Sequence, residues 1–208
     1  MAAPEPSTIK AVIWDLGGVI LRTGDPGPRE RWEARLGLAP GELHRLVFEG
    51  ELGKLAALGQ AQPAEIWESI GGLFDLSQQE IRAMETDFWI SDRIDEELVG
   101  YIRDLRPAFR TALLSNAWPG VRELLEDRWE IVDAFEVLTL SYEVGLAKPD
   151  PQIYNLTLRE LGLKPHETIF VDDFIRNVEG ARRVGMHAVH FQSSAQAQAE
   201  LDPLLGRS

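Results

Sequence analysis

The sequence predicts an α/β protein with a parallel-sheet core and an all-helical insert, and three observations carry this reading. Apolar runs that stop abruptly at a chemically active residue recur along the chain, the first being Ala11-Val12-Ile13-Trp14 ahead of Asp15 and Leu16-Gly17-Gly18-Val19. From Ile94 onward such runs alternate with segments of helical length and periodicity. Between these regions, after a turn-rich break at residues 22–28, the signals are helical to about Trp89. The expected organisation is a core of residues 8–21 and 94–208 interrupted by a helical unit of residues 22–93.

The elements follow in order. Ala11–Trp14 reads as a buried strand whose two following glycines let a ligand approach the backbone closely. Arg22-Thr23-Gly24-Asp25-Pro26-Gly27-Pro28 is a turn-rich break that ends the sheet pattern. Arg29–Leu36, Gly41–Phe48, Pro63–Phe74 and Ser77–Phe88 carry apolar residues at i, i+3/i+4 spacing, and Ser77-Gln78-Gln79-Glu80 has the form of a capping box. The insert's aromatic residues, Trp32, Phe48, Trp67, Phe74, Phe88 and Trp89, are read as its own core rather than a ligand cage. Gly50, Gly53 and Gly59 are read as a loop.

Beyond Ile94 the expected helices are Glu96–Leu105, Val121–Trp129, Pro151–Leu161, Ile175–Val184 and Ala195–Leu205. The strands between them are Phe109–Leu114, Phe135–Leu140, Thr168–Val171 and His187–Phe191. Asp150 before Pro151 supplies an N-cap followed by proline at the first helical position. Strands separated by helices of this length build a doubly wound, Rossmann-like parallel sheet.

Composition narrows the function. In 208 residues, 34 acidic against 21 basic side chains give a net charge of −13, which opposes nucleic acid and anionic membrane surfaces alike. The absence of cysteine excludes a disulfide framework, a thiolate nucleophile and a cysteine-based zinc site, and fits a cytoplasmic setting. Met1–Ser7 has neither a basic nor an apolar leader-like region, and no apolar stretch approaches the roughly 20 residues that span a bilayer.

In an open parallel sheet, ligands bind at the carboxyl ends of the strands near a reversal of strand order. Asp15, Ser115-Asn116, Lys148-Pro149 and Asp172-Asp173 all fall after expected strands. One such residue alone reads as a turn or helix cap. Four sets at one sheet edge read as a site. Several carboxylates brought together repel, and a hard divalent cation relieves them; Mg²⁺ suits oxygen ligands and keeps water and phosphate in its shell. A carboxylate can attack phosphorus, dividing hydrolysis into two displacements, while Ser115, Asn116 and Lys148 hold the phosphoryl oxygens.

These residues resemble the haloacid dehalogenase-like (HAD) hydrolase superfamily along nearly the whole chain. Ile13-Trp14-Asp15-Leu16-Gly17-Gly18-Val19 is similar to its first motif and Leu114-Ser115-Asn116 to its second. Lys148-Pro149 resembles the third, and Phe170-Val171-Asp172-Asp173 with Asn177 the fourth. The insert resembles the family's small helical cap, which selects substrate. The resemblance implies a Mg²⁺-dependent phosphomonoesterase acting on a small phosphorylated metabolite. Asp15 would be nucleophile and metal ligand, joined by Asp173 and the Gly17 carbonyl, with Asp172 and Asn177 beside the ion. Ser115 and Lys148 would bind the phosphoryl group, with Asn116 in support.

The chain departs from the phosphatase pattern at Gly17, where most family phosphatases carry a second aspartate that protonates the leaving oxygen. Such assistance is worth roughly 10²–10⁴-fold. Its absence implies a substrate with a good leaving group, a substitute acid such as His44 or Glu49, or a protein that binds phosphate without fast turnover. The metal-free 2-haloacid dehalogenase branch also lacks that aspartate. It lacks the acid pair seen here as Asp172-Asp173 as well, and ranks lower for that reason. Trp118 is read as either lining the entrance or packing, and His166, His187 and His190 as scaffold residues.

Overall fold

The structure, a computed structural model, describes residues 8–207; the reading of Met1–Ser7 as lacking a leader-like region falls outside the described residues. Its centre is a five-stranded parallel sheet of β1 (Ala11–Trp14), β4 (Arg110–Ser115), β5 (Val137–Leu140), β6 (Thr168–Asp172) and β7 (His187–His190), in the order β5-β4-β1-β6-β7. The central strands are buried on both faces, so they read in the sequence as continuous apolar runs. Alternate residues feed two separate cores. Val12, Trp14, Leu113 and Val171 pack on one face with α6 (Glu96–Leu105) and α11 (Ser194–Leu205). Ile13, Ala112, Leu114 and Phe170 pack on the other with α9 (Pro151–Leu161) and α10 (Ile175–Arg183). The sheet is thus doubly wound, as expected.

Strand order reverses beside β1, which pairs with β4 on one side and β6 on the other, Trp14 lying level with both Leu113 and Val171. The carboxyl ends of these three strands therefore open into one crevice. Asp15, Ser115 and Asp172 sit at that rim because the register places them there. Asp150 caps α9 by accepting from the Gln152 N–H at 2.8 Å, and Ser77 and Glu80 form the expected capping box.

The insert contains α1 (Gly27–Leu36), α2 (Glu42–Glu49), α3 (Glu51–Ala57), α4 (Pro63–Leu73) and α5 (Gln78–Trp89) around a core of its own. Three expectations are corrected here. First, Arg22 and Thr23, the start of the expected break, form with Leu21 the strand β2 (Leu21–Thr23), which pairs antiparallel with β3 (Asp92–Ile94) to form the ribbon that joins insert to core. Second, Gly53 lies inside α3, not in a loop: a Cβ there would come within 2.2 Å of the Val47 carbonyl oxygen, so the glycine lets α3 pack against the end of α2. Third, the helix expected at Val121–Trp129 changes type along its length, α7 (Val121–Glu123) running on as a π-helix over Leu124–Arg128. The next turn widens to i→i+5 bonding, with the Trp129 N–H on the Leu124 carbonyl at 2.8 Å.

Trp118 settles its two readings by doing both. Although it belongs to the core chain just after β4, it is buried among the insert's apolar residues, donates from Nε1 to the Gly53 carbonyl at 3.1 Å, and lines the crevice. It is the pin between the two parts. Trp118→Phe should cost about 1 kcal/mol through the lost hydrogen bond, and Trp118→Ala about 3–5 kcal/mol through the cavity. Denaturant melts of the two variants check the ranking, and hydrogen exchange should accelerate in α3 before the sheet.

Candidate active site

Lys148 lies at the bottom of the crevice with its side chain 1% exposed, brought in by the loop after α8 (Ser141–Val144). Its ammonium contacts Asp15 Oδ1 at 2.8 Å and Asp172 Oδ2 at 2.7 Å. Burial alone would lower the lysine's affinity for its proton, but the two carboxylates outweigh it and hold the pKa above the ordinary value. Lys148 is therefore a fixed charge. Its backbone is fastened by Asn116, whose Nδ2 donates to the Lys148 carbonyl at 2.9 Å and whose Oδ1 accepts from the Lys148 N–H at 2.8 Å. Asn116 thus serves the site by placing the lysine.

Asp15 Oδ1 also accepts from the Leu16 N–H at 2.7 Å, and the Asp15 N–H donates to the Val171 carbonyl at 2.9 Å. Burial raises the Asp15 pKa well above the ordinary range; Asp172 and Asp173 push the same way and Lys148 opposes them. Asp172, fully buried, accepts from Lys148, from the Phe174 N–H at 2.8 Å and from Asn177 Nδ2 at 3.0 and 3.1 Å. Tyr154 steadies this end by donating to the Asn177 carbonyl at 2.9 Å. Sequence reading missed Tyr154, which carries no motif signal in the middle of α9.

Asp173 differs from Asp172. Among the described residues, its Oδ1 is buried with no hydrogen-bond partner, and so is Oδ1 of Asn177. Burial, with repulsion from Asp172, pushes the Asp173 pKa up to about 6. Gly18, at φ +78°, makes room for this carboxyl: a Cβ would lie 2.1 Å from Asp173 Oδ2. Carboxylate oxygens of Asp15, Asp172 and Asp173 lie within 4.8 Å of one another. Three acids against one lysine, with two orphaned buried oxygens, form an all-oxygen donor set that a small hard cation would satisfy. The residues present fit Mg²⁺.

Ser115, buried at the end of β4, and Gly17 open onto the same cleft of about 730 Å³. All the residues expected at the site come together there except Asp172, which lies beneath the floor. The opposite wall is supplied by the insert, including His44, Phe48, Glu49, Lys54 and Trp89. Phe48 and Trp89, read from sequence as core alone, are half-buried and do double duty. Nothing in their helical spacing distinguishes the two roles. Of the two suggested substitute acids, His44 has its pKa lowered from the ordinary histidine value by burial and by the Arg29 charge.

A doubly wound parallel core with an acid-rich, lysine-centred crevice under a helical insert defines an α/β protein with a capped site suited to a hard cation and an anionic ligand. The chain belongs to the haloacid dehalogenase-like hydrolase family, whose pattern it matches over residues 9–185. It is 28% identical over 95% of its length to a D-ribitol-5-phosphate phosphatase of Bacteroides thetaiotaomicron, covering 98% of that protein. To a sesquiterpene phosphatase of Aspergillus oryzae it is 27% identical over 96% of this chain and 98% of the relative. Among solved structures, a HAD-family enzyme of Bacteroides thetaiotaomicron superposes with a TM-score of 0.76 at 22% identity, covering 93% of this chain and 98% of the other.

The acid cluster makes a signed prediction. An ordinary carboxylate titrates near 4, so between about pH 4 and 6 the metal-free native state keeps an Asp173 proton that the unfolded chain has lost. This contribution to stability is full below that window and is lost as pH rises through it. Mg²⁺ competes with the same proton, so it should raise the melting temperature little at about pH 5 and clearly at about pH 7.5. Calorimetric scans at both pH values check the order.

Proposed function

We propose that this chain is a Mg²⁺-dependent phosphomonoesterase that works through an aspartyl-phosphate on Asp15 and hydrolyses a small phosphorylated metabolite. The observation that carries the reading is the pairing of Asp15 with the buried, permanently charged Lys148 beside two orphaned acidic-site oxygens. Its full-length relatives named above are phosphatases of a sugar-alcohol phosphate and of a sesquiterpene. Residues 22–93 serve as the cap and residues 8–21 and 94–208 as the catalytic core.

Asp15, Asp173 and the Gly17 carbonyl would hold Mg²⁺, with Asp172 and Asn177 supporting them; the ion would offset phosphoryl charge. Oδ1 of Asp15 is engaged by Lys148 and Leu16, so attack on phosphorus falls to Oδ2. Lys148 and the Ser115 hydroxyl bind phosphoryl oxygens, and the P–O bond to the leaving group breaks as the Asp15–P bond forms. Water then attacks the same phosphorus, releasing inorganic phosphate and regenerating the carboxylate. Gly17 is the one feature that favours a second reading, a phosphate-binding protein without fast turnover.

Asp15→Asn should abolish phosphate release while leaving the fold intact, and a chelator should do the same to the native protein. Release from a panel of phosphomonoesters and acyl phosphates checks both. Persistent Asp15-independent release would contradict the mechanism; phosphate binding without any release would favour the second reading. Gly17 supplies a further test, because a Cβ there meets nothing within 4 Å and its φ lies outside the glycine-favoring range. Gly17→Asp should fit without strain and raise turnover of alkyl phosphates by on the order of ten- to a hundredfold, with a flatter dependence of rate on leaving-group pKa.

A further inference from the structure

Several of the cleft's polar side chains are already engaged within the protein. Arg22 pairs with Asp95 behind the wall, and Arg29 donates to Asp92 at 2.7 Å and to the Phe88 carbonyl at 2.7 Å. The Thr23 hydroxyl donates to the same Asp92 oxygen at 2.8 Å. The Trp118 indole is held by Gly53, and Asn116 by Lys148. Among the described residues, His44, Glu49, Lys54 and Arg176 also line the cleft, and their side chains have no hydrogen-bond or ion-pair partner.

One wall of the cleft is aromatic and apolar. Phe48 lies 4.9 Å from Trp118 and 5.9 Å from Trp89, and Trp89 stands perpendicular to Trp118 at 6.1 Å. All three line the cleft, as do Ala57 and Leu58 on the same side. Rings set at such angles offer edges and faces to another ring. The His44 ring tilts against Phe48 at 4.7 Å and extends this surface.

A second, independent constraint comes from Gly17. It opens onto the cleft with no side chain to protonate a leaving oxygen, and the space its Cβ would enter is empty. A leaving group that departs as a stable anion needs no such acid. A phenolic oxygen is such a group, whereas an alkoxide is not.

We propose that the substrate class is an aryl monophosphate, a phenolic phosphate ester whose ring is received by Phe48, Trp89 and Leu58. This rests on the phosphomonoesterase reading. The step balances simply: the Asp15 Oδ2–P bond forms, the P–O(aryl) bond breaks, and its electron pair leaves on the phenolic oxygen as an aryloxide that solvent protonates. Water completes the cycle at phosphorus. The specificity thus lies in the wall, and the tolerance of a missing acid lies in the leaving group.

The test separates recognition from leaving-group reactivity. Phenyl phosphate and 2-naphthyl phosphate have leaving groups of similar acidity and differ in apolar area, so kcat/KM should be higher for the naphthyl ester by on the order of tenfold. D-Ribitol 5-phosphate should be poorer than either. Phe48→Ala and, as a milder second variant, Leu58→Ala should each shrink the naphthyl-to-phenyl ratio several-fold, mainly through KM. Equal kcat/KM for the two aryl esters, or faster turnover of the polyol phosphate, would overturn the aryl assignment while Asp15-dependent release still upheld the phosphatase. Absence of Asp15-dependent release from every ester and from acetyl phosphate would overturn both.

Discussion

The structure turns on one buried ammonium. Lys148 sits between Asp15 and Asp172 where solvent does not reach, and without it two carboxylates from adjacent strands could not share the end of the sheet. Burying charges costs several kcal/mol each unless geometry and hydrogen bonding are complete. Here they are complete on one side only. Asp172 has every approach filled by Lys148, Asn177 and the Phe174 N–H, whereas Asp173 keeps an orphaned oxygen. The asymmetry divides two neighbouring acids into a structural partner for the lysine and a donor left for a cation.

The fold provides this because of where its strand order reverses. β1 lies between β4 and β6, so a single rim gathers Asp15, Ser115 and the acid pair, and only Lys148 must arrive from a loop. Asn116 fixes that loop through two backbone contacts. The cap enters through the β2–β3 ribbon and is pinned to the core by Trp118, which follows Ser115 by three residues. Cap position and phosphoryl pocket are therefore tied to the same short segment.

The core strands and the residues at their ends were legible in the sequence because strands buried on both faces leave unbroken apolar runs that stop where the chain reaches the rim. The ribbon was not, because Leu21–Thr23 and Asp92–Ile94 are three residues each, carry charges, and find each other across some seventy positions of chain. The third cap helix was hidden by its glycines: Gly53 reads as a breaker, and only the close approach of the Val47 carbonyl shows why a helix needs it. The type of Asn116 suggested a phosphate contact, while its amide grips the Lys148 backbone, a tertiary relation that spacing does not encode. The same holds for Phe48 and Trp89, whose helical positions announce burial but not the cleft they also face.

The central claim is that Asp15 attacks phosphorus. Rapid acid quenching of the native protein during turnover of an aryl monophosphate with Mg²⁺, followed by peptide mass mapping, tests it most directly. The account predicts a hydroxylamine-labile phosphoryl group on the peptide that carries Asp15, absent from Asp15→Asn. A phosphoryl group on any other residue, or steady release of phosphate with no covalent adduct at any time, would contradict it.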